Sequence, residues 1–326
     1  MRAMKAATLA ITISFLSASA LAITPSRAEP WPKRTVTFIT PTAVGTGTDF
    51  AARLFASALA ERWGKPVIVE NRPGGDMITG TTAFARMNDD HFLLFSNTSP
   101  IAVHPVTYEK LPYDPIRDFS PISTASDIFV AVAASESIKV RSVGDLVKLA
   151  RTQSGKINWA SAPGITQYVF AAFERRAGLE MTLVPYREPA LALQDLSEGR
   201  IHVMAHSLTV LMPLVQAGKA RLLVVNNRQR AAIAPDVPTA IEAGYSELTY
   251  EGYIGLFGWR GMPTELRERI AADVRAITAD PLVGERLASA GQAAHGSTPA
   301  EFSAALEQVR ADATALVRAV GAMPNQ

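Results

Sequence analysis

Val36-Thr37-Phe38-Ile39-Thr40-Pro41-Thr42-Ala43-Val44-Gly45-Thr46-Gly47-Thr48-Asp49 passes from a β-branched apolar run, through a turn of small residues, into a helical pattern. The first five residues read as a buried strand that Pro41 brings to an end. Asp49 stands where a capping residue is expected, and a helix follows through Arg62, closed by Gly64 and Pro66. A strand that feeds a helix through a short turn is the repeating unit of a parallel α/β sheet.

The same alternation continues on both sides of this unit. Val67–Glu70 and Phe92–Phe95 read as strands, with a helix near Thr79–Met87 between them. A second set begins after Pro121. Its strands are Phe129–Ala133, Asn158–Ser161, Thr182–Pro185, Ile201–His206 and Leu222–Val225. Its helices are Ser142–Ala150, Tyr168–Arg176 and Ala190–Glu198. Glu251–Trp259 reads as a returning strand, and the rest is helical, including Thr264–Thr278 and Pro299–Val320. The closing helices need an earlier sheet to pack on. This predicts a discontinuous first lobe (29–127 and 250–326), a second lobe (128–249) and two crossing segments between them.

Composition narrows the function classes. A chain of 326 residues, 48% hydrophobic and 19% charged, is globular and long enough for two domains. It has no cysteine, which excludes disulfides, thiolate metal sites and cysteine nucleophiles. Arg2 and Lys5 precede an apolar stretch from Ala6 to Leu16, and Ser26-Arg27-Ala28 ends the segment in small-x-small form. That is the pattern of a secretory signal peptide over residues 1–28. The leader holds three bases and no acid, so its removal turns a net +2 into −1. No basic stripe then remains to attract nucleic acid.

The turn Pro41–Asp49 is the most informative local feature. Its glycines expose backbone amides, and the helix behind it offers a positive N-terminal end, as an anion site requires. A plain connection with a capping Asp reads equally well from this segment alone. Gly45-x-Gly47 with Glu70 imitates a dinucleotide fingerprint, but Phe50 stands where the third glycine belongs. Asn158-Trp159-Ala160-Ser161-Ala162-Pro163-Gly164-Ile165-Thr166 is a second turn of the same kind. Both lie at carboxyl ends of strands, where open α/β sheets bind ligands. Two such turns on facing lobes suit the two ends of a dicarboxylate. His202 and His206 share the spacing of a helical zinc pair, but on a strand they stand about 13 Å apart. His91, His104 and His295 read as structural or solvated, and no nucleophile elbow is present.

These residues carry a resemblance. Trp31-Pro32, the Gly-x-Gly-Thr-Asp turn, Val69-Glu70-Asn71-Arg72-Pro73-Gly74-Gly75, Leu111-Pro112-Tyr113-Asp114-Pro115, Val184-Pro185-Tyr186, Pro235-Asp236-Val237-Pro238-Thr239 and Gly296-Ser297-Thr298-Pro299 occur in order. Together they resemble the Bug family, the receptors of tripartite tricarboxylate transporters, from about Trp31 to the final helix. The resemblance implies a type II periplasmic-binding-protein fold, two α/β lobes with a ligand cleft. It implies a small carboxylate ligand, a membrane transport complex as partner, no cofactor, no catalysis and a monomer. Carried over, the contacts are Thr46, Gly47, Thr48, Asp49, Ser96 and Thr98 from lobe one. From lobe two they are Ser161, Gly164, Ile165, Thr166 and His206.

Three departures bear on the ligand. Ile165 and Tyr168 replace a hydroxyl and a histidine usual in the family, which implies an apolar surface at Ile165. His206 replaces a common Asp, and Glu188-Pro189 replace Gly-Gly. His206 reads equally as a strand-end histidine hydrogen-bonded within its own lobe and as a cleft residue; if it is protonated on binding it attracts an anion, so carboxylates without an amino group, dicarboxylic or aromatic, are expected, bound more weakly as pH rises through about 6.5. Two other readings stay open: a periplasmic sensor protein, and an exported enzyme on a related fold. The leader makes its own prediction. The exported chain is expected to begin at or near Glu29, and N-terminal sequencing that finds Met1 on membrane-embedded protein would refute export.

Overall fold

The structure, a computed structural model, describes residues 31–162, 164–186 and 188–321, so the leader lies outside the described residues. Along the chain come β1 (Val36–Thr40), α1 (Gly47–Trp63), β2 (Val67–Asn71), α2 (Ile78–Ala85), β3 (Phe92–Asn97), α3 (His104–Thr107) and β4 (Phe119–Ile128). Then follow β5 (Val130–Ser135), α4 (Val143–Thr152), β6 (Asn158–Ser161), α5 (Ile165–Arg176), β7 (Thr182–Leu183) and α6 (Pro189–Ser197). Next are β8 (Val203–Ser207), α7 (Leu208–Gln216) and β9 (Ala220–Val225). Last come β10 (Gly252–Trp259), α8 (Thr264–Thr278), α9 (Pro281–Ser289), β11 (Gln292–Ala294) and α10 (Pro299–Val320).

Two mixed sheets result. One has the order β11-β4-β10-β3-β1-β2, the other β7-β6-β8-β5-β9. β1, β2 and β3 are parallel, as are β6, β7 and β8. β10 runs antiparallel between β3 and β4, and β5 antiparallel between β8 and β9. The first sheet takes its strands from both sides of the second in sequence. The chain crosses between them at Phe129 and again between Asn226 and Glu251.

Asn227 holds the two crossings side by side. Its Oδ1 accepts from Val130 N at 3.1 Å and its Nδ2 donates to Ile128 O at 2.9 Å. Asn226 N donates to Val130 O and receives Tyr250 N on its own carbonyl. Both backbones are thereby satisfied where neither sheet supplies partners.

Three apolar clusters fill the layers. Phe38, Phe55, Leu93 and Phe95 pack with Ile270 and Val274 under α1 and α8. Met204, Ala131, Leu196 and Leu211 pack under α6 and α7. The largest cluster belongs to both sheets, because Phe302, Leu306, Val309 and Ala313 of α10 share it with Phe170 and Phe173 of α5. These α10 residues form one stripe at helical spacing, and Arg175 Nη1 binds Ala319 O at 3.1 Å beside it.

Several elements differ from the sequence reading. β4 was invisible because Phe119-Ser120-Pro121-Ile122-Ser123-Thr124 carries loop-like residues; pairing with β10 and β11 overrides that composition. α7 contains Pro213, which hid it. α5 starts at Ile165 rather than Tyr168, because Gly164 adopts φ 84° and releases the chain into the helix. α1 starts at Gly47, and its cap is Thr46 rather than Asp49.

α2 fixes the base of the Pro41–Asp49 turn by close approach. A Cβ on Gly80 would lie 2.5 Å from Arg72 O and 2.8 Å from Pro41 Cα, both backbone atoms. Gly80→Ala is therefore expected to cost about 1–3 kcal/mol, the usual penalty of overpacking. Urea unfolding that shows unchanged stability would contradict this contact.

Candidate functional site

Helix α1 begins with an incompletely capped end. Thr46, extended at φ −74° and ψ 161°, accepts Asp49 N on its hydroxyl at 3.3 Å. Its carbonyl takes Phe50 N at 2.9 Å. No partner is recorded among the described residues for the amides of Gly47 and Thr48. They remain as donors at the positive end of a 17-residue helix.

Asp49 does not join these donors as a free ligand group. Its carboxylate accepts Gly45 N at 3.0 Å, Asn71 Nδ2 at 2.8 Å and the Arg53 guanidinium at 3.0 Å. Burial raises its pKa, but the bonds to Arg53, Gly45 and Asn71 outweigh that effect and hold it below the ordinary value. Asp49 positions the turn, and its charge is matched by Arg53 within the same turn region.

Ser96 and Thr98 stand at the end of β3, both fully buried. Ser96 Oγ has no hydrogen-bond partner among the described residues. Thr98 N donates to Tyr253 O at 3.0 Å and anchors the turn after β3. Thr48 is buried at the first turn of α1, while Thr46 is exposed.

Helix α5 repeats the arrangement. Gly164 is its N-cap and has no side chain to offer. Gln167 N and Tyr168 N turn back to Gly164 O at 3.1 and 3.3 Å, and the Ile165 and Thr166 amides have no partner among the described residues. Ser161 Oγ, just before the turn, is shielded and unpaired. Each sheet therefore presents two helix-end amides and one orphaned hydroxyl at the carboxyl ends of parallel strands. A buried hydroxyl without a partner is destabilising unless a ligand or water satisfies it.

The structure changes the role of two lobe-two residues. The Ile165 side chain is 6% exposed and packs in the core cluster beside Val169 and Phe170. It does not form the apolar ligand surface expected from sequence; its amide faces the turn instead. His206 lies in register with Ala131, which packs with Met204 under α6 and α7. Ala205, in register with Ser161, packs on the other face. By strand alternation, His206 and Ser161 therefore reach the sheet end from opposite faces. Burial pushes the His206 pKa down to about 4, so the ring is neutral at pH 7 and the charged anion-attracting form expected from sequence is not the resting state.

Gln292, which no local motif marked, ties the start of α1 to β4. Its Nε2 donates to Gly47 O at 2.9 Å and its Oε1 accepts Ser126 Oγ at 2.7 Å. The preceding Gly291 abuts Thr209, whose hydroxyl bonds Ala290 O. This chain of contacts runs from the start of α1 to the start of α7, three residues after His206. Nearby, His295 bonds Asp127 at 2.6 Å, and that bond raises the His295 pKa against the opposing effect of burial. His104 is buried between Asp76 and Tyr113, at 3.3 Å from each.

Removing Asp49 tests the positioning role. Asp49→Ala removes the acceptor of Gly45 N and one of the acceptors of Asn71 and of Arg53, and is expected to cost about 1–3 kcal/mol at neutral pH. Because the folded pKa is depressed, this contribution exists above the unfolded value of 3.8 and disappears as pH falls through the folded one. Denaturation curves of the two proteins should therefore separate at pH 7 and converge in strong acid.

Comparison with known proteins places this geometry in context. The family profile described as "Tripartite tricarboxylate transporter family receptor" matches residues 51–319. The UPF0065 protein of the tcbD-tcbE intergenic region of Pseudomonas sp. (strain P51) is 31% identical over 295 residues, 87% of each chain. R. palustris Rpa4515, solved with adipate, superposes with a TM-score of 0.82 at 28% identity, covering 91% of this chain and 100% of the other. MatC from Rhodopseudomonas palustris, solved with bound malate, gives 0.74 at 26% identity, covering 88% and 100%.

Proposed function

Because the chain belongs to the tripartite tricarboxylate transporter family receptors, we propose that it is an extracytoplasmic solute-binding protein for a small carboxylate. It captures the ligand between lobe one (29–127 and 250–326) and lobe two (128–249) and delivers it to a membrane transport complex. It acts in the periplasm after loss of residues 1–28, as a monomer, by binding without catalysis.

One observation carries this reading: among the described residues both α1 and α5 leave first-turn amides open, and each sheet has near the carboxyl end of a parallel strand a hydroxyl without a partner, Ser96 in one and Ser161 in the other. A carboxylate accepts several such donors at once, and bonds to a charged acceptor are the stronger kind. Asp49 is neutralised within its own lobe, so it does not repel an anion held by Gly47 and Thr48. Gly164 and Thr166 complete the second end. Adipate and malate, bound by two relatives, are the first candidates to try.

A thermal-shift screen of mono- and dicarboxylates tests this, since a ligand that binds only the folded state raises its apparent stability. Thr48→Val and Ser161→Ala should each weaken the best ligand about tenfold, the loss of one bond to a charged group. Ser161→Ala should leave the ligand-free protein as stable as before or more so, because the lost hydroxyl had no partner. Unchanged affinity in both variants, with the fold intact, would move the ligand elsewhere.

A further inference from the structure

Asp127 and Glu251 stand at the roots of the two crossings between the sheets. Asp127 is the last but one residue of β4, and the next residue, Ile128, gives its carbonyl to Asn227 Nδ2 as the chain leaves the first sheet. Glu251 comes just before β10, and its carboxylate accepts Arg228 N at 2.8 Å, closing the second crossing beside Asn227. Gly252 pairs with Ile128 and Tyr253 with Asp127, so the two roots are neighbours in the sheet. Burial raises the pKa of Glu251, and the charge of Asp127 raises it further against the bond to Arg228. The two carboxylates therefore repel each other across the crossings.

His295 supplies the opposing charge. It follows β11, its backbone N–H donates to Ala125 O at 3.2 Å, and its Nδ1 lies 2.6 Å from Asp127 Oδ1. The Tyr253 ring stands edge-on to the imidazole, with centroids 5.8 Å apart. An ionised carboxylate only accepts, so Nδ1 keeps its proton in both states of the ring, and the proton that titrates is the one on Nε2. Its loss turns an ion pair into a bond from a neutral donor and leaves Asp127 facing Glu251 without the cation that balanced it. The other charged groups acting on the ring are Glu301 and Glu251. Glu301 is held by the Thr298 cap of α10 and is itself acted on by Arg275 of α8. Asp312 of α10 acts on Tyr253, and β11 carries no titratable side chain.

We propose that His295 and Asp127 form a proton-dependent brace at the root of the first crossing, whose discharge loosens the hinge between the two lobes. The Asp127 bond outweighs burial and raises the His295 pKa above its ordinary 6.5. The brace is thus complete below that value and is lost as pH rises through the higher folded one. Where the lobes close on a ligand, as proposed above, the looser hinge speeds release on the basic side. The brace itself does not rest on that reading.

Hydrogen exchange of the ligand-free protein between about pH 5.5 and 8.5, corrected for the intrinsic pH dependence of amide exchange, reads the hinge directly. In the natural protein the peptides spanning 126–130 and 226–252 should lose protection roughly two- to fivefold as His295 discharges, the range of a partly exposed ion pair. Peptides of α1 and α4 should stay level. His295→Lys keeps a cation and should hold the low-pH protection throughout. His295→Gln keeps a neutral donor and should show the high-pH protection throughout. In Asp127→Asn the His295 titration, followed by NMR, should fall toward the ordinary value. Unchanged pH dependence in His295→Gln or His295→Lys would overturn the brace, as would flat protection in the natural protein while His295 titrates. So would an equal loss of protection in α1 and α4, or an unaltered His295 titration in Asp127→Asn.

Discussion

A helix cannot satisfy its own first amides, and this constraint organises the molecule around its site. In α10 the problem is solved internally: Thr298 and Glu301 cap each other's backbone, and the end is closed. In α1 the cap is partial, and in α5 the cap is a glycine. Both helices follow strands of a parallel set, and in each sheet one strand of that set, β3 or β6, carries near its carboxyl end a serine hydroxyl with no partner among the described residues. The stability forgone at these ends is recoverable only from an anion or water, and the rest of the fold holds the two ends in place.

Holding them in place requires long-range contacts that outweigh local preference. Asp49 would serve as an ordinary first-turn acid, favourable at a helix N-terminus, but Asn71 from β2 and Arg53 from the next turn recruit it as a clamp on Gly45. The turn is further pinned by α2 through Gly80 and by β11 through Gln292. A turn built this way is rigid before any ligand arrives, which lowers the ordering cost of binding.

How much of this was legible in the chain follows from the range of each interaction. Asn158–Ser161, Thr264–Thr278 and Pro299–Val320 match their structural bounds, because a strand between turn residues and helices with Thr or Pro starts are local signals. Both site turns were visible for the same reason. β4 was not, since its Ser- and Thr-rich sequence becomes a strand through partners more than a hundred residues away. Gln292 was illegible because nothing local marks a residue whose partners are Gly47 and Ser126. The state of His206 stays open in the sequence, because its neutral form depends on burial and on the direction of the Ser207 amide. The Ile165 side chain turned inward because an amphipathic helix needs an apolar first turn against Phe170 and its neighbours.

The apolar stripe of α10 has a consequence for the order in which this protein comes into being. Phe302, Leu306, Val309 and Ala313 complete a cluster that contains residues from β1 through α5. These side chains lie after the rest of the cluster in the chain and are synthesised after it. Until then the face of α5 that carries Phe170 and Phe173 lacks its covering helix, and the first sheet lacks Phe302 against Phe257. Both sheets therefore reach their final packing together, when α10 docks, so the maturation of one half is coupled to that of the other.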